Sequence, residues 1–151
     1  MWVPLVDVDH RNGAMSLLPG GHRVPFTIRG TETDNPFRSI EAEASARMIE
    51  VPMAAGDILV HDHRVLHGSP PNRRRRARVV VGCALLSAGT DVIHHRRIGS
   101  GVMERYHLEE RFFTEHTFGA LGFPESARLV DSIEFENPVL GESDLPSQVL
   151  P

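Results

Sequence analysis

The shortness of every apolar run is what most limits the folds open to this chain. The longest, Val79 to Leu86, is eight residues and rich in valine. Trp2 to Val8, Ala14 to Leu18 and Ile58 to Val60 are shorter still. Each run is cut by turn-forming residues: Asn12-Gly13, Pro19-Gly20-Gly21, Ala55-Gly56-Asp57 and Pro70-Pro71-Asn72. Such clusters end strands because glycine reaches positive φ and proline supplies no ladder N–H. The 13 glycines and 11 prolines favour a turn-rich, strand-rich fold over a helical bundle. Short antiparallel strands at regular spacing predict a mainly β fold, a sandwich or barrel of jelly-roll type. No run is long enough to cross a bilayer.

At 151 residues the chain has the length of one domain. The single cysteine, Cys83, excludes an internal disulfide and is predicted to be a buried, inert thiol in a reducing compartment. Met1-Trp2-Val3-Pro4 has no basic region of a signal peptide, so a cytoplasmic location is expected. The net charge of −4 conceals an asymmetry: ten acids against three arginines from Glu104 onward, and ten against thirteen before it. Basic residues gather at Arg64, Arg73 to Arg76 and Arg78. Without interleaved aromatics, and in an acidic chain, the arginine run reads as a solvated hairpin loop. Neither nucleic acid nor membrane is expected as a partner.

Along the chain, strands are predicted over Trp2 to Val8, Ala14 to Leu18, Arg47 to Val51, Ile58 to Val60, from Leu66-His67, and over Arg78 to Leu86. Residues 23 to 46 look irregular, with a short helix at Ser39 to Ala46. Glu104 to Phe113 has helical spacing with acids outward, Pro124-Glu125-Ser126 opens a second short helix, and the tail from Asn137 is irregular.

The chemistry lies between Gly56 and Asn72, and at Arg78. His67 ends an apolar strand and precedes the small residues Gly68-Ser69, so its imidazole can face a cavity; imidazole suits iron, zinc or copper. A lone histidine at a strand end is more commonly structural, and a lone arginine is commonly a surface ion pair. The combination is what carries weight. A hairpin would bring Arg78 near His67, where a guanidinium can grip a carboxylate with two parallel hydrogen bonds. Ser69 adds a hydroxyl donor. A metal ligand beside a carboxylate clamp is what a 2-oxoacid cosubstrate requires. His61 and His63 share the His67 face if the strand is regular, but His63 then lies about 13 Å from His67. Both are read as structural.

The block from Gly56-Asp57 to Asn72, with Arg78 eleven residues after His67, resembles the C-terminal motif of the phytanoyl-CoA dioxygenase family. Trp2-Val3-Pro4-Leu5 with Asp7, Asn12-Gly13-Ala14-Met15 and Leu18-Pro19-Gly20-Gly21-His22 resemble its middle segment, with Gly21 where the family usually has serine. The resemblance covers about residues 2 to 86. It implies a double-stranded β-helix (jelly-roll, cupin-like) with Fe(II) and 2-oxoglutarate as cofactors. His67 is then the distal metal ligand, Arg78 the grip on the far carboxylate of 2-oxoglutarate, Ser69 its hydroxyl partner, and Trp2 an aromatic of the cosubstrate pocket. In that chemistry 2-oxoglutarate and O₂ give succinate, CO₂ and the oxidation of a small organic substrate.

The family's His-x-Asp ligand pair precedes the tryptophan by more than a dozen residues, and no such pair is found here. Asp7, Asp9 and His10 match by type only. The expected organisation is therefore the C-terminal portion of the β-helix at 1–90, lacking its first strands, and a helical or irregular extension of the same domain at 91–151. Strand edges left bare predict a homodimer or partner chain. The chain alone is expected not to turn over 2-oxoglutarate. Two other readings are open: a non-catalytic jelly-roll that binds a ligand or partner, and a cupin-like enzyme with metal on His61, His63 and another residue.

Overall fold

Trp2 and Pro4 alternate with Val3 as buried and half-buried residues, and this alternation sets the first strand, β1 (Trp2–Pro4). A computed structural model of the chain describes residues 1–30, 32–109 and 127–147. Among the described residues the further strands are β2 (Met15–Leu17), β3 (Ile49–Val51), β4 (His67–Gly68), β5 (Val80–Gly82), β6 (Ile93–Gly99), β7 (Val102–His107) and β8 (Arg128–Glu134), with one α-helix, α1 (Glu41–Arg47). They form three antiparallel sheets, β1-β5, β3-β2-β4 and β6-β7-β8. The expectation of a mainly β protein holds at this level.

The contacts divide the chain into two units: 1–25 with 39–86 and 140–151, and 26–38 with 87–139. In the first, β1 pairs with β5 in the register Trp2↔Gly82, Val3↔Val81, Pro4↔Val80. The backbone of Trp2 is also bridged to Leu59 by two hydrogen bonds of 2.9 Å, and Val8 is bridged to Met53. Trp2, Val8, Ala14 and Met15 form a core against which Leu17, Met53, Leu59 and Val80 pack. Leu140 and Leu145, from the irregular tail, are buried in the same unit.

Several predicted strands are shorter than expected. Trp2 to Val8 is a strand only to Pro4. Beyond it the backbone carbonyl of Asp7 accepts from Asn12 Nδ2 at 2.7 Å and its carboxylate from the Ala55 N–H at 2.9 Å. Side chain to backbone bonds of this kind offer the chain an alternative to the ladder. Ile58 to Val60 contracts to the single Leu59 bridge. Arg78 to Leu86 contracts to β5, which has only β1 as ladder partner among the described residues. Cys83 is exposed, not buried, because it lies past that strand, where Met1 holds its backbone. The helix expected at Ser39 to Ala46 appears as α1, one residue off at its end.

In the second unit β7 lies between β6 and β8. The helix expected over Glu104 to Phe113 is strand as far as His107, with residues 110–113 outside the described residues, as are Pro124-Glu125-Ser126. The charges read as a solvent-facing helical stripe instead meet partners across the sheet. Arg105 donates to Asp131 through Nε at 2.6 Å and through Nη2, and Glu104 lies opposite Arg96. Opposite charges on facing strands stabilise the pairing that local spacing did not reveal.

Candidate functional site

The site in the first unit is organised by the turn from Asp7 to Ala14. The Asp9 carbonyl accepts from the Asn12 and Ala14 N–H groups, and its carboxylate accepts from Arg11 and Asn12 N–H groups. Asn12 is buried and returns the bond, its Oδ1 accepting from the Asp9 N–H at 2.8 Å. The Arg11 N–H and, more weakly, the nearby Arg74 guanidinium hold the Asp9 carboxyl below its ordinary range. Asp9 and Asp7 are thus committed to the turn, and His10 is exposed beside it.

The turn ends at Gly13, whose φ of +83° is the left-handed conformation that favours glycine. A Cβ there would stand 2.4 Å from the Pro70 carbonyl oxygen and 2.9 Å from Arg78 Nη1. The exit of β4 and the approach to β5 therefore converge on the one residue without a side chain. Arg78 is half-buried, and its Nη1 is buried with no hydrogen-bond partner among the described residues. Its guanidinium carbon lies 6.0 Å from the centre of the Trp2 ring, at the limit for a cation–π contact. The arginine run 73–76 is exposed and tied back to the turn: Arg74 donates to Asp9 at 2.6 Å and the Arg73 N–H to the Arg11 carbonyl at 2.9 Å.

Ser69 is exposed, next in sequence to Pro70. His67, on β4 opposite Leu17, is also exposed. Its Nδ1 lies 2.8 Å from the Val65 carbonyl. The segment before it is not an extended strand. The Val65 N–H donates to the Asp62 carbonyl and the Arg64 N–H to the Asp62 carboxylate, closing a turn. As a result His61 and His67 have ring centroids only 4.8 Å apart, where an extended chain would separate them by about 20 Å. His63 is exposed. The structure brings Trp2 to Arg78, Gly13 to Arg78 and Pro70, and His61 to His67; the last two approaches were not singled out from the sequence. The Asn-Gly pair was the available signal for the approach at Gly13.

Iron is the metal that the resemblance implies, and the donors test it. Among the described residues no three His, Cys, Asp or Glu side chains gather to hold an ion, so a two-histidine, one-carboxylate triad does not fit what they supply. The carboxylate end fits better, since the unpartnered Arg78 donor is of the kind that an anion satisfies.

These features define a mainly β protein with a partly buried arginine set against an aromatic ring. A model of the phytanoyl-CoA dioxygenase (PhyH) family matches residues 1–80, more than half of the chain. The chain belongs to this family, whose members are generally Fe(II)- and 2-oxoglutarate-dependent dioxygenases. No curated protein and no solved structure matches it. No helix among the described residues is long and apolar enough to cross a membrane.

Proposed function

We propose that the chain binds 2-oxoglutarate through Arg78, as the cosubstrate end of an Fe(II)- and 2-oxoglutarate-dependent dioxygenase acting on a small organic substrate. The observation that carries this reading is the buried, unpartnered Nη1 of Arg78. An unsatisfied buried donor costs about 1–3 kcal/mol, and more when charged. A carboxylate removes that cost, and the planar guanidinium can address both of its oxygens. Trp2 is 9% exposed and fixed by its Leu59 bridge, which suits it to serve as a rigid wall beside the ligand. Gly13 leaves the space in which Arg78 sits. Ser69 serves as a hydroxyl donor to the same carboxylate, and His67 as the metal imidazole. The family match supports the reaction class, and the sheets of the first unit are read as parts of a double-stranded β-helix.

The test is calorimetric titration of the 151-residue chain with 2-oxoglutarate. Saturable binding is expected, weakened at least tenfold in Arg78→Met, which is about 1.4 kcal/mol. Equal affinity in the variant would overturn the assignment. A second reading, a jelly-roll that binds a dicarboxylate without turnover, is favoured by the missing third donor among the described residues. Succinate formed from 2-oxoglutarate with Fe(II), ascorbate and O₂, and lost in His67→Ala, would exclude it.

A further inference from the structure

Two imidazoles that stand six positions apart in the sequence meet at one place on the surface of the first unit. We propose that His61 and His67 form a two-imidazole clamp for a divalent transition-metal ion of the borderline class: Cu(II), Zn(II) or Ni(II).

The hydrogen bonds fix which nitrogen of each ring is free. His61 Nδ1 lies 2.9 Å from the Asp62 carbonyl, and His67 Nδ1 lies 2.8 Å from the Val65 carbonyl. A carbonyl oxygen can only accept, so both Nδ1 atoms carry the proton. In the neutral ring Nε2 is then a bare lone pair. Metal-bound histidines are held in just this way, one nitrogen donating to a carbonyl while the other ligates.

The spacing agrees. Two imidazoles sharing an ion at about 2.0–2.1 Å, with an angle of roughly 90–110° at the metal, hold their ring centroids about 4.5–5.2 Å apart. The observed separation is 4.8 Å, with the rings tilted by 52° rather than stacked parallel. Both rings are held before any ion arrives. His67 sits on β4, paired with β2, and His61 precedes a turn closed by the Val65-to-Asp62 bond of 3.1 Å. His67 is exposed and His61 half-buried, so an ion can enter from solvent. Among the described residues no group of three His, Cys, Asp or Glu side chains gathers to hold an ion, so imidazole is the donor type of the clamp.

Donor type sets the metal class. Imidazole favours copper, zinc and nickel, and iron(II) and manganese(II) lie low in the divalent order. Two protein nitrogens leave further coordination positions for water or a small anion. The inference shares His67 with the proposed function but does not depend on 2-oxoglutarate, whose grip is Arg78.

The experiment is titration of the full chain with Cu(II), followed by electron paramagnetic resonance and repeated with Zn(II) in competition. Nitrogen couplings from two imidazoles are expected at the tightest site, and Zn(II) should displace the copper. His61→Gln and His67→Gln should each weaken that site at least tenfold, while His63→Gln leaves it unchanged. Circular dichroism and Trp2 fluorescence establish that each variant is folded. Loss in His67→Gln with wild-type affinity in His61→Gln would overturn the clamp and leave His67 as a solitary ligand. Equal affinity in all three variants would overturn it by placing the copper elsewhere. Failure of 2-oxoglutarate to bind would leave either result unaltered, because that reading is tested at Arg78.

Discussion

Gly13 is where the backbone itself decides the site. Any L side chain there must adopt a φ near +83°, at about 1–2 kcal/mol for the left-handed region alone. It must also displace the Pro70 carbonyl at 2.4 Å and the Arg78 guanidinium at 2.9 Å. Gly13→Ala should therefore lower stability by about 2 kcal/mol or more in urea unfolding, and should weaken 2-oxoglutarate binding in the same preparation. A variant as stable as the wild type would show that the turn yields freely. Asn12 offers a second case. Its buried carboxamide accepts from the Asp9 N–H and donates to the Asp7 carbonyl, so Asn12→Ala strands both and should cost about 1–3 kcal/mol. The exposed Arg74–Asp9 pair, screened by solvent, should matter far less when Arg74 becomes alanine. The Asn-Gly pair was legible as a turn, because its chemistry is local. That the turn also lies against Pro70 and Arg78 was not legible, because nothing local encodes a contact between residues so distant in the chain.

Among the elements, β7 shows how a sequence pattern misleads. Glu104, Arg105 and their neighbours have a spacing that suits a helix, yet their partners lie across the sheet on β6 and β8. Cross-strand pairing is invisible until the strands are placed, whereas the short helix α1, built from alanine and glutamate, was legible from local preference. The same sheet sets a pH dependence. Burial lowers the affinity of His94 for protons, helped by the adjacent His95. Burial and then the Arg105 guanidinium do the same for His95, against the pull of Asp131. Both imidazoles thus bind protons less readily folded than unfolded. Their contribution is complete above the ordinary value of 6.5 and is lost as the pH falls below it toward the folded values. The Asp131 carboxyl, held low chiefly by its bond from Arg105, titrates well beneath this window. Urea midpoints should therefore fall between pH 8 and pH 5, and should fall less in the His94→Gln, His95→Gln double variant. A midpoint flat across that range would contradict the burial argument. At β5 the expectation is association. Val79 and Val81 are about half exposed, and β1 is the only ladder partner of the strand among the described residues. Sedimentation should show concentration-dependent association, reduced in Val81→Lys; a monodisperse monomer at high concentration would count against it.

For the whole molecule, the family was readable because its signature lies in residue types at fixed intervals, from Trp2 through Gly20 and from Gly56 to Arg78, and the family model covers that stretch. The geometry of the site was not readable to the same degree. The turn at Asp62 to Val65 folds back a segment that alternation would have kept extended, and so joins His61 to His67. The central claim is that Arg78 grips a carboxylate of 2-oxoglutarate beside Trp2. The chain has one tryptophan, 6.0 Å from that guanidinium, so its fluorescence reports on this place alone. The most direct measurement is a fluorescence titration of the metal-free chain with 2-oxoglutarate, alongside Arg78→Met. The account predicts a saturable change in Trp2 emission in the wild type and none in the variant; emission indifferent to 2-oxoglutarate, or responding equally in both proteins, would contradict it.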